Sequence, residues 1–394
     1  MDYKFLLDIG LIILVVKIFN IITKKVHVPR ILGGLLAGIL LGPAVFNIVQ
    51  TSDTLEVFST LGIVFIMFLA GMETKLKSFM HDWKKYFVIA IIGIFTSLVI
   101  GTLISLIYVR DININLLVGI FITSTSVTIT VEALLQLRKL HTKAGMAILG
   151  AGVVDDIIGV VFLAIIMNGG NFNIINVGLT ISQMIIFFCL AAVVGFIAFK
   201  IFEWLERSTS NAERLPTFSL AFALIMAFLG EHMGASGLIG AYIAGLVIGN
   251  TEKGLAIKPK IEMIVFLVFA PIFFASIGLK LETLNFPIST WIFILIFTIA
   301  AIISKLIGNG IGAKLSGYNK NDSIRIGIGM ATRGELALIM LGESLMLNLI
   351  SNELFSVMLV SIILITIITP ILLQISLKRI AAEPEPKNEE NESY

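Results

Sequence analysis

Apolar runs of about twenty residues recur from one end of this chain to the other, and they leave it few ways to fold. Hydrocarbon offers no water to satisfy backbone N–H and C=O groups, so a spanning segment must be a helix or belong to a closed barrel. At roughly 1.5 Å per residue, runs of this length match helices crossing roughly 30 Å of bilayer core. Hydropathy and Gly/Pro punctuation place about thirteen spans, near residues 4–22, 31–48, 57–74, 86–108, 114–135, 143–167, 176–203, 215–232, 236–250, 261–280, 288–313, 323–348 and 353–377. Only 14% of residues are charged and 57% are hydrophobic, so the expected class is an all-α polytopic membrane protein. Phe5 to Thr23 has no basic stretch before it, and the basic turn Lys24 to Arg30 after it holds no small-x-small cleavage site. It reads as a retained span.

Lys and Arg fall mainly in alternate loops: Lys24, Lys25 and Arg30; Lys75, Lys77, Lys84 and Lys85; Arg138, Lys139 and Lys143; Arg207 and Arg214; Lys253, Lys258 and Lys260; Lys314, Lys320 and Arg325; Lys378 and Arg379. The opposite side shows little beyond Lys4, Arg110 and Lys280. By the positive-inside rule this predicts a multi-pass protein of the cell membrane with its N-terminus outside and its C-terminus cytoplasmic.

The chain also repeats itself. Ala37-Gly38 with Gly42 recurs as Ala244-Gly245 with Gly249, Gly71 as Gly278, and Thr125 as Thr332, all at an offset of 207 residues. The predicted organisation is a first repeat over 1–167 (spans one to six), a linker span over 168–208, a second repeat over 209–378 (spans eight to thirteen) and a disordered cytoplasmic tail over 379–394. A shift of seven spans is odd, so the second copy must be inverted in the membrane. Secondary transporters with inverted repeats bind their substrate at mid-membrane where the halves meet.

Against that frame, Asp155 and Asp156 stand out. They lie in the apolar run Ala147 to Met167, where each carboxylate costs on the order of a few kcal/mol to insert. Neighbours on a helix point about 100° apart, so the two cannot share one face. Lys305, itself within an apolar span, is the expected partner of one of them, and the other has no obvious counter-charge left. Two further spans read as broken helices. One carries Thr123-Ser124-Thr125-Ser126-Val127-Thr128-Ile129-Thr130; the other carries Gly327 to Glu335, with Arg333 and Glu335. Hydroxyls and glycines weaken helix, and irregular backbone at that depth is tolerated only inside protein or beside a cavity. The charges Arg333 and Glu335 either compensate half-helix ends or pair with each other.

Other polar residues carry less. Glu132 lines an entry funnel or ends a helix in solvent, Glu73 and Lys280 end helices at the interface, and His27, His81, His141 and His232 lie near span ends. Cys189, the one cysteine, reads as a small buried apolar residue with no part in a disulfide or metal site. A GxxxxGK[ST] phosphate loop is not among the motifs, and neither an enzyme activity, a cofactor nor a nucleic-acid partner is expected.

With Gly152-Val153-Val154-Asp155-Asp156, Lys305, the hydroxyl-rich segment and Arg333-Gly334-Glu335, the chain resembles the cation:proton antiporter-2 superfamily, most closely the NapA-type sodium/proton antiporters. Pro29 to Pro43 and Gly71-Met72-Glu73-Thr74 share the resemblance, which covers all but the tail. It implies a homodimer in which a core of spans four to six and eleven to thirteen moves against a dimerisation domain. It also implies that Asp156 binds the cation, that Asp155 pairs with Lys305, and that exchange is electrogenic. The expected function is exchange of Na+, and of Li+, for H+ by alternating access of Asp156, with protons carried by Asp155, Asp156 and Lys305. Ser124 and Thr125 are the expected supporting ligands. A K+/H+ antiporter and a sodium-coupled organic-acid symporter of the same architecture are the alternatives.

Overall fold

A computed structural model describes residues 3–25, 30–73, 82–126, 130, 134, 139, 142–170, 174–206, 214–233, 237–251 and 254–378. The expectations for Glu132, His27, His81, His141, Thr128 and the tail 379–394 lie outside the described residues. Within them every regular element is helical: α1 (Lys4–Lys25), α2 (Arg30–Leu41), α3 (Asp53–Glu73), α4 (Trp83–Ser105), α5 (Ile112–Phe121), α6 (Lys143–Met167), α7 (Ile174–Glu206) and α8 (Arg214–His232). Then come α9 (Gly237–Gly249), α10 (Gly254–Ile264), α11 (Ala270–Leu279), α12 (Ile288–Leu315), α13 (Lys320–Gly329), α14 (Glu335–Met346) and α15 (Asn352–Lys378). Nine helical segments among the described residues are long and apolar enough to cross a membrane.

Local sequence sets several boundaries. Asp111 starts α5 by accepting from the backbone N–H of Asn113 at 2.8 Å, and Asn319 starts α13 by accepting from that of Asp322 at 2.7 Å. Thr142 does the same for α6 through Gly145; each oxygen satisfies a donor that a helix start leaves unpaired. Where the second span is expected to run to residue 48, α2 ends at Leu41. Gly42 and Pro43 follow, and the chain folds back in turns that bring the Asn47 N–H to the Gly42 carbonyl. Between α10 and α11 lies a five-residue π-turn, Val265–Phe269. Pro271 explains it, because a proline ring crowds the carbonyl four residues back and the wider turn makes room.

The helices sort into two groups by their contacts: α1, α2, α3 and α8 to α11 pack on one another, as do α4, α5, α6 and α12 to α15. The first group is locked by backbone-to-backbone crossings. A Cβ on Gly38 of α2 would sit 2.1 Å from the Ala275 carbonyl oxygen, and one on Gly278 would sit 2.4 Å from that of Leu35. The same crossing occurs a second time: a Cβ on Gly245 of α9 would sit 1.9 Å from Phe68 O, and one on Gly71 would sit 2.0 Å from Tyr242 O. Only glycine permits such approach. In the second group α4 and α12 meet through Ser304, which donates to Ser97 at 3.2 Å across 207 residues of sequence.

Cys189 differs from its expectation. It is exposed on α7, amid the exposed apolar residues Ile185, Ile186, Phe188 and Val193. The apolar run that suggested burial inside the protein instead supplies an outward face suited to hydrocarbon.

Candidate functional site

The site is built where α6 meets α12 and the two interrupted helices. Lys305 of α12 reaches Asp155 of α6 with both carboxylate oxygens in range, Nζ to Oδ1 at 3.1 Å and to Oδ2 at 2.9 Å, and both side chains are sealed from solvent. Burying two charges costs several kcal/mol per ion before their attraction is counted, so each makes the other tolerable. Asp156, one residue on, is in a different situation. Its residue is half-buried, and among the described residues its carboxylate takes part in no hydrogen bond or ion pair. Glu335 and Glu73 lie within electrostatic reach of it, as do Asp155 and Lys305. Gly159, one turn further along α6, lets Leu336 and Ser124 come close to that helix.

Of the two hydroxyls expected to support an ion, Thr125 donates to the Met330 carbonyl at 2.9 Å. Among the described residues the Ser124 hydroxyl is buried without a partner, which makes it the freer oxygen. Both stretches expected to be broken leave the helical path. Residues 122–126 follow the end of α5, and residues 330–334 separate α13 from α14. They cross and are stitched together. Ser126 N–H donates to Thr332 O at 3.0 Å, Thr332 Oγ1 donates to Ser126 O at 3.0 Å, and Thr130 donates to Gly329 O at 2.8 Å.

Arg333 and Glu335 do not pair with each other among the described residues. Arg333 is fully buried and turns its Nη1 back on the carbonyls of Met330, Ala331 and Thr332, at 3.5, 3.2 and 3.4 Å, just past the end of α13. Glu335 is in the first turn of α14, where its Oε2 accepts from Ser126 Oγ at 3.4 Å. A cation thus sits at a helix C-terminus and an anion at a helix N-terminus, each matched to the partial charge there. Reading the sequence misses Ser126, Thr130 and Thr332 as the stitching residues. The signal was present: Thr332 sits in the second break at the same relative place as Thr125 in the first.

Residues 10–379 match the family of transmembrane sodium/hydrogen exchangers. This chain belongs to that family. The exchanger is 37% identical over 373 residues to GerT of Bacillus cereus, named a probable Na+/H+ antiporter, covering 94% of this chain and 98% of the relative. To GerN of the same organism, a Na+/H+-K+ antiporter, it is 33% identical over 375 residues, 95% of this chain and 96% of GerN. Its fold matches that of the sodium proton antiporter MjNhaP1 from Methanocaldococcus jannaschii at pH 8 with a TM-score of 0.74. That match covers 95% of this chain and all of the other at 18% identity. The resemblance noted from the paired aspartates and Lys305 is therefore to the right family, and the all-helical exchanger fold is as expected.

Proposed function

We propose that this exchanger carries Na+, and Li+, inward or outward in exchange for H+ by alternating access of Asp156. The observation that carries the reading is the contrast between adjacent carboxylates: Asp155 is bound by Lys305 in a sealed layer, while Asp156 is half-buried and unpartnered. A hard cation prefers oxygen ligands, and a carboxylate holds either it or a proton. Asp156, Ser124 Oγ and backbone carbonyls at the break supply such a set. Sodium on Asp156 adds a positive charge beside the Asp155–Lys305 pair and loosens it, so Lys305 releases its proton; Asp155, protonated whenever the pair is open, is the alternative carrier. Net charge then moves in each cycle. The duplicated glycine crossings and the Ser97–Ser304 contact at the 207-residue offset support an inverted pair of repeats over 1–167 and 209–378. We place the N-terminus outside and the C-terminus in the cytoplasm on the loop charges, and the unit as a homodimer in the cell membrane.

Asp156→Asn in proteoliposomes should abolish the proton flux set off by a sodium jump, and should abolish the accompanying current on a solid-supported membrane. Exchange at the wild-type rate would remove Asp156 from the mechanism. K+ is a second cargo to test, because the similar GerN is a Na+/H+-K+ antiporter; adding Na+, Li+ and K+ in turn to the same proteoliposomes separates them.

A further inference from the structure

A small cavity with a mainly apolar lining and a charged rim lies between the two helix groups, at the end of α3 opposite Glu73. It holds about 30 Å³, and its walls come from the N-terminal half of α3, the end of α11 and the outer half of α14. Three charged residues stand around it: Glu56 on α3, Lys280 just beyond α11, and Glu343 on α14. Burial lowers the Lys280 ammonium from its usual range, and the carboxylates of Glu56 and Glu343 pull it back up. Among the described residues no ion pair within 4 Å joins Lys280 to either carboxylate; the opposite charges line one cavity and act across it. The polar lining continues inward through Ser59 and Ser276, whose hydroxyls are 2.6 Å apart. The floor then turns apolar at Ile63, Phe273 and Ile339, all buried.

Membership matters here. Glu56 and Lys280 belong to the glycine-locked group, whereas Glu343 belongs to the group that carries Asp155, Asp156 and Lys305. An ion approaching Asp156 from this end must part the apolar floor, and so must separate Glu343 from Lys280. We propose that Lys280 and Glu343 form the latch of an outer gate, with Glu56 retaining Lys280 when the gate opens. Glu56 travels with Lys280, so the ammonium never loses its counter-ion, and the released Glu343 carboxylate faces the water from which cations enter. Lys280 ends α11 as expected, and the latch would add to that place a role in the transport cycle. This rests on the alternating-access reading above.

Removing the latch should shift the population toward the state open at this end. Attraction between opposite charges across a partly screened cavity is worth at most about a fivefold change in such an equilibrium. The reporter is Ile63→Cys in a Cys189→Ser background, in sealed vesicles with the Lys280 end outward, labelled by a membrane-impermeant maleimide. Lys280→Gln and Glu343→Gln should each raise the labelling rate about fivefold, and the charge-swapped pair Lys280→Glu with Glu343→Lys should return it toward the parent rate. An unchanged rate overturns the latch. So does an equal rise at a control Ile272→Cys inside the glycine-locked group, because that would report general loosening. Labelling needs no ion flux, so it can fail while Asp156-dependent exchange stands, or succeed while that exchange is absent. In a transporting sample, Lys280→Gln should lower the half-saturating Na+ concentration on the Lys280 face and raise it on the other. A shift in the same sense on both faces overturns the gate.

Discussion

The two interrupted segments do opposite jobs with different chemistry. The first, 122–126 with Thr130, is neutral and rich in hydroxyls; its side chains reach across to carbonyls at Gly329 and Met330. The second, 330–334, presents successive carbonyls and mainly accepts, with Thr332 donating back to Ser126 O, and it meets its remaining need with one guanidinium, Arg333, spanning three carbonyls. A hydroxyl is short and serves one carbonyl at a time, so its removal is local. A guanidinium serves several at once and carries charge into a buried place, so its loss is collective. Buried backbone acceptors without donors cost about 1–3 kcal/mol each, which makes the second break the more fragile.

Three substitutions sharpen or break that contrast. Arg333→Met keeps volume and removes the shared donor. It should destabilise by about 2–3 kcal/mol, since the Ala331 carbonyl loses its donor while those of Met330 and Thr332 keep only Thr125 and the Ser126 N–H, and lower the thermal midpoint in detergent by several degrees. Thr130→Val removes the hydroxyl that donates to Gly329 O and lies 2.7 Å from Thr332 Oγ1, and should cost about 1–2 kcal/mol by the same measure. If it costs as much as Arg333→Met, the hydroxyl side is as collective as the ionic one and the contrast fails. Smallest is Glu335→Gln, which keeps an acceptor for Ser126 but loses the anion at the start of α14; about 0.5 kcal/mol is expected from the helix-end charge alone. A much larger loss of stability would mean that Glu335 holds the break together as Arg333 does. Loss of exchange with stability intact would place its weight on the transported ion, beside Asp156.

Much of this was legible in the sequence. A lysine and an aspartate stranded in apolar runs can be tolerated only near each other, so Lys305 and one of the paired carboxylates had to meet. Helical geometry turned the neighbouring carboxylate elsewhere. The hydroxyl-rich and glycine-rich stretches announced irregular backbone because their residues favour it. Sequence alone did not give the direction of the Arg333 side chain, since pairing with Glu335 two residues on and capping α13 are equally available until the backbone path is known. Nor could it join Glu56, Lys280 and Glu343 into one cleft. They come from three distant segments, and each alone resembles an ordinary solvated helix end. Cys189 was misjudged for a related reason: hydropathy registers apolar surroundings without saying whether protein or lipid provides them. The shortness of α2 lay in Gly42-Pro43, which a window long enough to detect a span averages away.

The paired glycine crossings have a bearing on how such a molecule can move at all. Where Gly38 lies on the Ala275 backbone and Gly245 on that of Phe68, no side chain is present to flex. That half of the protein can neither compress nor shear there without breaking main-chain contact at two places. Any displacement is thereby directed to the boundary lined by Ile63, Phe273 and Ile339, where side chains rather than main chain meet.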